Sequence, residues 1–111
     1  MDKITYDDFS KVEFRIGEII KAEVVGGSEK LIREVVDFGS YGQKVVFSGI
    51  RKFYQPEELL GKKTVFVVNM EPKKIMEEWS EAMIFGAEAE DKSQLSILVL
   101  DREMANGTKV F

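Results

Sequence analysis

The sequence predicts an all-β fold built as a small five-stranded barrel. Three observations lead there. Apolar and polar residues alternate over short runs, glycine-rich turns separate those runs, and one compact helical turn stands between the third run and the fourth. With 111 residues, 44% of them hydrophobic and 32% charged, the chain has material for one core and too little for a comfortable second. We therefore expect one domain over 1–111, with the barrel motifs in about 5–87 and a C-terminal strand and tail over 88–111.

Thr5-Tyr6-Asp7-Asp8 has the form of a capping box, which predicts a short helical turn running into Phe9 and Ser10. From Val12 to Val25 the even positions Phe14, Ile16, Ile20, Ala22 and Val24 fall on one side of a strand, with Arg15, Lys21 and Glu23 on the other. Glu18 and Ile19 break that parity just after Gly17, which predicts a bulge or bend. Gly26-Gly27-Ser28 is a turn. A second strand runs from Leu31 to Phe38, and Gly39-Ser40-Tyr41-Gly42 makes a hairpin to a third at Lys44 to Ile50. In Gln55–Gly61, Pro56 sits at the first helical position, Glu57 and Glu58 fill the first turn, and Gly61 ends it. Thr64 to Met70 is a nearly continuous apolar run, expected to be buried on both sides, and Pro72 stops it. Met83 to Ala87 and Leu95 to Leu100 supply two more strands around the polar stretch 88–94, and Asn106-Gly107 is a closing turn signal. A long bent first strand, two more strands, a helical turn and then further strands is the order of an OB-fold, with sandwiches of similar strand count as the competing architecture.

The chain contains no histidine and no cysteine. Ser-His-Asp and Cys-His nucleophiles, His/Cys zinc sites and disulfide scaffolds are thereby excluded, and a cytoplasmic location is the expectation. No apolar run approaches the ~20 residues of a membrane-spanning helix, and we expect no membrane association. The carboxylate pairs Asp7/Asp8, Glu57/Glu58 and Glu77/Glu78 lie in turns or helix starts, and Gly26-Gly27-Ser28 lacks the spacing of a phosphate loop. We expect neither catalysis nor a cofactor.

Charge is distributed unevenly. The formal net charge of −4 divides into −3 over residues 1–29, +4 over 30–74 and −5 over 75–111. The basic middle is either a solvated face or a local patch for an anionic partner, since salt screens charges beyond roughly 10 Å. Tyr41, Phe53, Tyr54 and Trp79 are candidate exposed aromatics, interleaved with Arg51, Lys52, Lys73 and Lys74, a combination that small barrels use to bind RNA. Phe14, Phe38, Phe47, Phe66 and Phe85 fall on strands and read as core. Trp79, flanked by Glu77, Glu78, Ser80 and Glu81, is expected in a loop, either at a binding rim or packed inward.

Five ordered strings carry a resemblance. Asp8-Phe9-Ser10-Lys11-Val12-Glu13-Phe14-Arg15-Ile16-Gly17 comes first, then Lys30-Leu31 with Val36-Asp37-Phe38-Gly39. Phe47-Ser48-Gly49-Ile50 follows, with Tyr54-x-Pro56-Glu57-x-Leu59-x-Gly61-Lys62. Asn69-Met70-x-Pro72-Lys73-Lys74 and Ser80-Glu81-Ala82-Met83 complete the set. Over about Thr5 to Ala87 the chain resembles the tRNA-binding domain family. That family includes the C-terminal domain of methionyl-tRNA synthetase, stand-alone structure-specific tRNA-binding proteins and the endothelial monocyte-activating polypeptide type.

The resemblance implies an OB-fold, non-catalytic binding of the outer corner of folded tRNA, and a homodimer for a stand-alone member, with an aminoacyl-tRNA synthetase as a possible partner. It places Arg15, Lys30, Ser48, Asn69, Lys73, Ser80, Glu81 and Met83 on motif positions that line the RNA face or shape its loops. Lys30 and Lys73 suit phosphates, while Ser48, Asn69 and Ser80 suit 2′-hydroxyls or bases. Asn69 alternatively ends its strand, Ser80 alternatively caps a turn, and Glu81 either orients a lysine or accepts from a base edge. Ala82 replaces the family glycine, a costly exchange if that backbone has positive φ. Gly27-Ser28-Glu29 replaces the family's lead into Lys-Leu, and Glu77-Glu78-Trp79 is a further departure. A chaperone branch of the same fold binds polypeptides, so a peptide-binding module and a synthetase-assembly domain stand as the alternative functions.

Overall fold

The computed structural model describes all 111 residues. Helical turn α1 (Tyr6–Ser10) leads into the long strand β1 (Phe14–Val24), then β2 (Ile32–Asp37), a 3₁₀ turn at Gly39–Tyr41, and β3 (Gln43–Ser48). After α2 (Pro56–Leu59) come β4 (Lys63–Val67), β5 (Lys73–Ile75), β6 (Glu78–Ser80), β7 (Met83–Ile84), β8 (Gly86–Glu88), β9 (Leu95–Ile97) and β10 (Lys109–Val110). Thr5 Oγ1 accepts from the Asp8 amide at 3.1 Å, and the Gln55 amide donates to Glu58 Oε1 at 2.9 Å. Both helical turns are therefore fixed by the local chemistry their sequences contain.

β1 organises the barrel. Its first half pairs antiparallel with β4, from Phe14↔Val67 to Glu18↔Lys63, and its second half pairs with β2 along the other edge, from Glu18↔Asp37 to Val24↔Ile32. β2 pairs in turn with β3, and β4 with β7, giving the order β3-β2-β1-β4-β7. β10 pairs with Phe14 and Arg15, beside the part of that edge which β2 leaves open. The two outer strands meet through residues 80–81. The Glu81 amide donates to the Val45 carbonyl at 2.8 Å, the Val45 amide to Glu81 Oε2 at 2.9 Å, and the Phe47 amide to Ser80 Oγ at 3.0 Å. The result is a nearly closed five-stranded OB-like barrel, as the element order predicts.

The bulge falls slightly later than expected. The register against β2 shifts between Ile19 and Lys21, so Ile19 is fully buried and Ile20 is 41% exposed. Ile20 is thus not on the core side with Ile16. The segment after α2 holds Ile19 in place: the Ile19 amide donates to the Lys62 carbonyl at 2.9 Å and the Gly61 amide to the Ile19 carbonyl at 2.8 Å.

Inward residues of every barrel strand join Leu59 of α2 in one core, and Phe38 and Phe66 meet edge to face at 5.3 Å. Phe14, Phe47 and Phe85 are only half-buried; Phe14 packs on Phe85 (centroids 5.3 Å apart) and Phe9 (5.6 Å) outside the barrel. The run 64–70 is not buried on both sides. Thr64, Phe66 and Val67 are inside, Val65 and Val68 are half-buried, and Met70 is exposed, because this strand has one inner face. The strands expected at 83–87 and 95–100 are shorter: β7 stays in the barrel while β8 pairs with β9 as a separate ribbon, from Gly86↔Ile97 to Glu88↔Leu95.

One core residue is a carboxylic acid. Glu34 lies between Ile32 and Val36 on the inner face of β2, fully buried, and Ser48 Oγ donates to its Oε1 at 2.7 Å. Burial pushes its pKa up to about 8, against a smaller downward pull from the Ser48 hydrogen bond. The carboxyl is therefore mostly protonated at neutral pH, and the 30–74 block carries nearly +5 rather than its formal +4.

The β5–β6 hairpin was not expected from the sequence. Its two-residue turn holds Met76 at φ 47° and Glu77 at φ 74°, the left-handed pair that favours Asn-Gly. Neither residue suits that region, at about 1 kcal/mol each. We expect Met76→Asn with Glu77→Gly to stabilise the hairpin by about 1–2 kcal/mol. Slower amide hydrogen exchange over 73–80 would show it, and unchanged or faster exchange would count against it.

Candidate nucleic-acid interface

The hairpin stands on the outside of the barrel and is tied there by charge. Arg33 on β2 grips Glu78 with two hydrogen bonds of 2.7 Å and also reaches Glu23 on β1 at 3.2 Å. The Arg33 hydrogen bond holds the Glu78 carboxyl below its ordinary pKa, as a paired carboxylate should be. Register then sets which side chains face where. Lys73 pairs with Ser80, Lys74 with Trp79 and Ile75 with Glu78, and cross-strand partners share a face. Lys73, Ile75 and Ser80 line a cleft of about 250 Å³ between the hairpin and the barrel, closed by Leu31, Phe47, Met70 and Met83. Lys74 and Trp79 are absent from that lining, and both are exposed.

A second cleft, of about 240 Å³, brings Lys30, Lys52 and Lys92 around Phe53. Lys30, Lys44, Lys52, Lys73 and Lys74 make no ion pair, so the basic middle of the chain presents free ammonium groups. Arg51 is different: its guanidinium donates to the Ser28 carbonyl and so holds the turn beside Lys30. Arg15 is also occupied. It bonds Glu13 at 2.8 Å and the Gly107 carbonyl at 3.1 Å, and its guanidinium carbon lies 4.0 Å from the Tyr41 ring centroid.

Several residues expected at the RNA face are placed differently. Ser48 is buried and its hydroxyl is spent on Glu34, which puts it out of reach of a 2′-hydroxyl. Asn69 accepts from the Glu13 amide at 2.8 Å and donates to the Lys11 carbonyl at 2.6 Å, which staples the end of β4 to the segment before β1. Ser80 and Glu81 serve as the barrel latch described above; Glu81 engages the Val45 amide rather than a lysine. Of the candidate aromatics, Tyr41 and Trp79 are exposed, while Tyr54 packs against the core and its hydroxyl accepts from the Ile97 amide at 3.1 Å. Trp79 lies on β6 rather than in a loop, at 54% exposure.

Residues 14–109 match the family model described as "Putative tRNA binding domain". The chain belongs to the tRNA-binding domain family. It is 42% identical over 110 residues to the methionine–tRNA ligase of Caldanaerobacter subterraneus subsp. tengcongensis, covering 99% of the chain and 17% of the relative. It is 43% identical over 109 residues to methionine–tRNA ligase 1 of Bacillus cereus, covering 98% and 16%. The chain thus spans about a sixth of the length of these curated relatives. Among solved structures it superposes on a MetRS-related protein from Pyrococcus horikoshii with TM-score 0.93, 36% identity and full coverage of both chains. The chaperone CsaA of Bacillus anthracis gives TM-score 0.89 and 34% identity, covering 99% of this chain and 100% of that one.

Within the family frame the departures become interpretable. Ala82 is buried in the core and does not have positive φ, so replacing the family glycine carries no backbone strain. Glu78, one of the acids beside Trp79, is paired with Arg33, which it shares with Glu23. Lys92 was not anticipated, because it lies in an acidic segment and reaches Lys30 and Lys52 only through the β8–β9 ribbon. Met70, Leu31 and Phe47 read as strand residues in the sequence, and only the hairpin turns them into a cleft wall.

Proposed function

We propose that this chain binds folded tRNA without catalysing a reaction, through the methionine-lined cleft under the β5–β6 hairpin and the lysines around it. One observation carries the reading: in a member of the tRNA-binding domain family, unpaired Lys73 lines the apolar, methionine-walled cleft, unpaired Lys74 stands on the outer face of the same hairpin, and unpaired Lys30 and Lys52 surround Phe53 in the second cleft. Lys73 and Lys74 meet phosphates, Lys30 and Lys52 extend the track, and Met83 with Met70 offers a soft wall to a base. Arg15, Arg51, Asn69, Ser80 and Glu81 shape the surface rather than touch RNA. Relatives that are methionine–tRNA ligases support association with a synthetase, in the cytoplasm. For the homodimer, α1 offers a surface: none of its residues is buried, and Ile4, Tyr6, Phe9 and Val12 are exposed around it, as a face covered by a second copy would be.

Binding of bulk tRNA across a salt series tests the reading. We expect affinity to fall steeply with salt, and Lys73→Ala with Lys74→Ala to make the log–log slope shallower by about 2. No binding at low salt overturns the proposal, and an unchanged slope in the double variant moves the site. A second reading, peptide binding, draws on the apolar, methionine-lined cleft and on the likeness to a chaperone. It predicts retention of unfolded polypeptide that is insensitive to salt.

A further inference from the structure

We infer that the outer face of the β5–β6 hairpin, formed by Trp79 and Lys74, is a stacking platform for an unpaired nucleobase of RNA. The inference rests on the tRNA-binding reading and adds to it a second contact, on the side of the hairpin away from the cleft. Four observations converge on it. Trp79 is 54% exposed although it lies on a strand, where burial of its large ring would ordinarily be favoured. Its cross-strand partner is Lys74, exposed and without an ion pair, so an aromatic face and a free ammonium group share one side of a two-stranded ribbon. The ribbon is anchored, because Arg33 on β2 holds Glu78 at 2.7 Å. The same ion pair offsets part of the repulsion that Glu78, next to the ring in sequence, would otherwise exert on a phosphate, since Arg33 is shared with Glu23.

That chemistry selects its ligand. A base stacked on an indole leaves its phosphate within reach of a neighbouring lysine, and stacking requires a base free of a helix on at least one face. A protein partner would instead favour an apolar surround, and the residue directly across from the ring is charged. Folded tRNA supplies unpaired bases at loops and at its single-stranded end, and the cleft on the inner face of the hairpin leaves the outer face free to engage one.

Trp79 is the only tryptophan of the chain, so its emission reports on this face alone. We expect tRNA and single-stranded oligoribonucleotides to quench it and an RNA duplex of the same length to leave it nearly unchanged. Trp79→Ala should weaken tRNA binding about tenfold, the order expected for one stacked base, while Trp79→Phe recovers most of the loss. Lys74→Ala should weaken it less, and the deficit should shrink as salt rises. Circular dichroism and thermal melting of each variant, matched to the parent, separate lost contact from lost fold. If tRNA is retained on filters with Trp79 emission unchanged and Trp79→Ala binds equally well, the platform is overturned while tRNA binding stands. Should tRNA fail to bind at low salt, the underlying reading falls with it. Quenching or a blue shift by unfolded polypeptide and not by RNA also overturns the platform, assigning the face to protein.

Discussion

Glu34→Gln should make the protein more stable at alkaline pH and no more stable in acid. Glutamine keeps the oxygen that accepts from Ser48 Oγ at 2.7 Å and cannot ionise. In the parent chain the folded carboxyl has a pKa of about 8 against an ordinary value of 4.5. Below the lower value, the group is protonated in both the folded and unfolded states and stability is fully present. Between the two, the unfolded chain releases the proton and the folded chain keeps it, so stability falls as pH rises, by up to about 1.4 kcal/mol per pH unit. Above the higher value, the loss levels off at several kcal/mol. Unfolding free energies from urea titrations at about pH 4.5, 6.5 and 8.5 should therefore converge for the two proteins in acid and separate progressively, with a gap on the order of 4 kcal/mol at the highest pH. Parallel pH profiles would show that the buried carboxyl is not the source. Removing the partner works in the opposite direction: Ser48→Ala leaves Oε1 unpaired beside the already unpartnered Oε2 and takes away the one interaction that pulls the folded pKa down, so the alkaline loss extends to higher pH and becomes deeper.

The second large effect is expected at Gly17. A Cβ at that position would lie 2.5 Å from Val36 Cγ1 and 2.7 Å from Phe38 Cε1. Val36 and Phe38 are both fully buried, and close-packed interiors have no free volume into which they can withdraw. Gly17→Ala should cost about 2–3 kcal/mol through overpacking, read as a drop in Tm of roughly 10 °C or more for a chain of this size. Val36→Ala alone should destabilise by leaving a void. Combined with Gly17→Ala it should cost less than the two separately, because the added methyl occupies space that the valine vacates. Additive losses in that double-mutant cycle would mean that the strain lies at Phe38 or in the backbone rather than at Val36.

These two positions also show how far the sequence could be read. Gly17 was legible as a break in the parity of β1, and the bend was expected within a few residues of where it occurs. Why glycine stands there was not legible, because Val36 and Phe38 approach it only after β2 has paired. Glu34 gave only a weak signal, its parity with Ile32, Val36 and Phe38. A glutamate looks like an outward polar residue by its chemistry, and only the folded strand shows that parity wins and puts it on the inner face with Ile32 and Val36. The shortened strands have a similar cause. A run such as 64–70 is apolar enough to be buried on both sides, yet its outward residues stay partly solvated.

The candidate site divides along the same line. Its cations and its exposed tryptophan were named from the sequence, and Lys30, Lys73, Lys74 and Trp79 do lie at the surface around the clefts. Ser48, Asn69, Ser80 and Glu81 were named with them because they share the same motifs, and a motif does not distinguish a residue that touches a ligand from one that closes the barrel. Hydrogen-bonding side chains can do either, and the choice is made by which backbone amides the fold leaves unpaired: those of Val45 and Phe47 on the edge of β3, and that of Glu13 before β1.

By itself the sequence determined the all-β class, the order of elements, the single long bent strand and the basic middle of an acidic chain, since alternation, turn residues and charge counts are local properties. The tertiary structure alone decided that residues 73–80 fold into a ribbon with a cleft on one face and Trp79 beside Lys74 on the other. Two residues adopt φ values their side chains disfavour to make that turn, against any local preference. The physical reason is that cross-strand register and the Arg33–Glu78 ion pair join segments 45 residues apart, a relation that no window of the sequence contains.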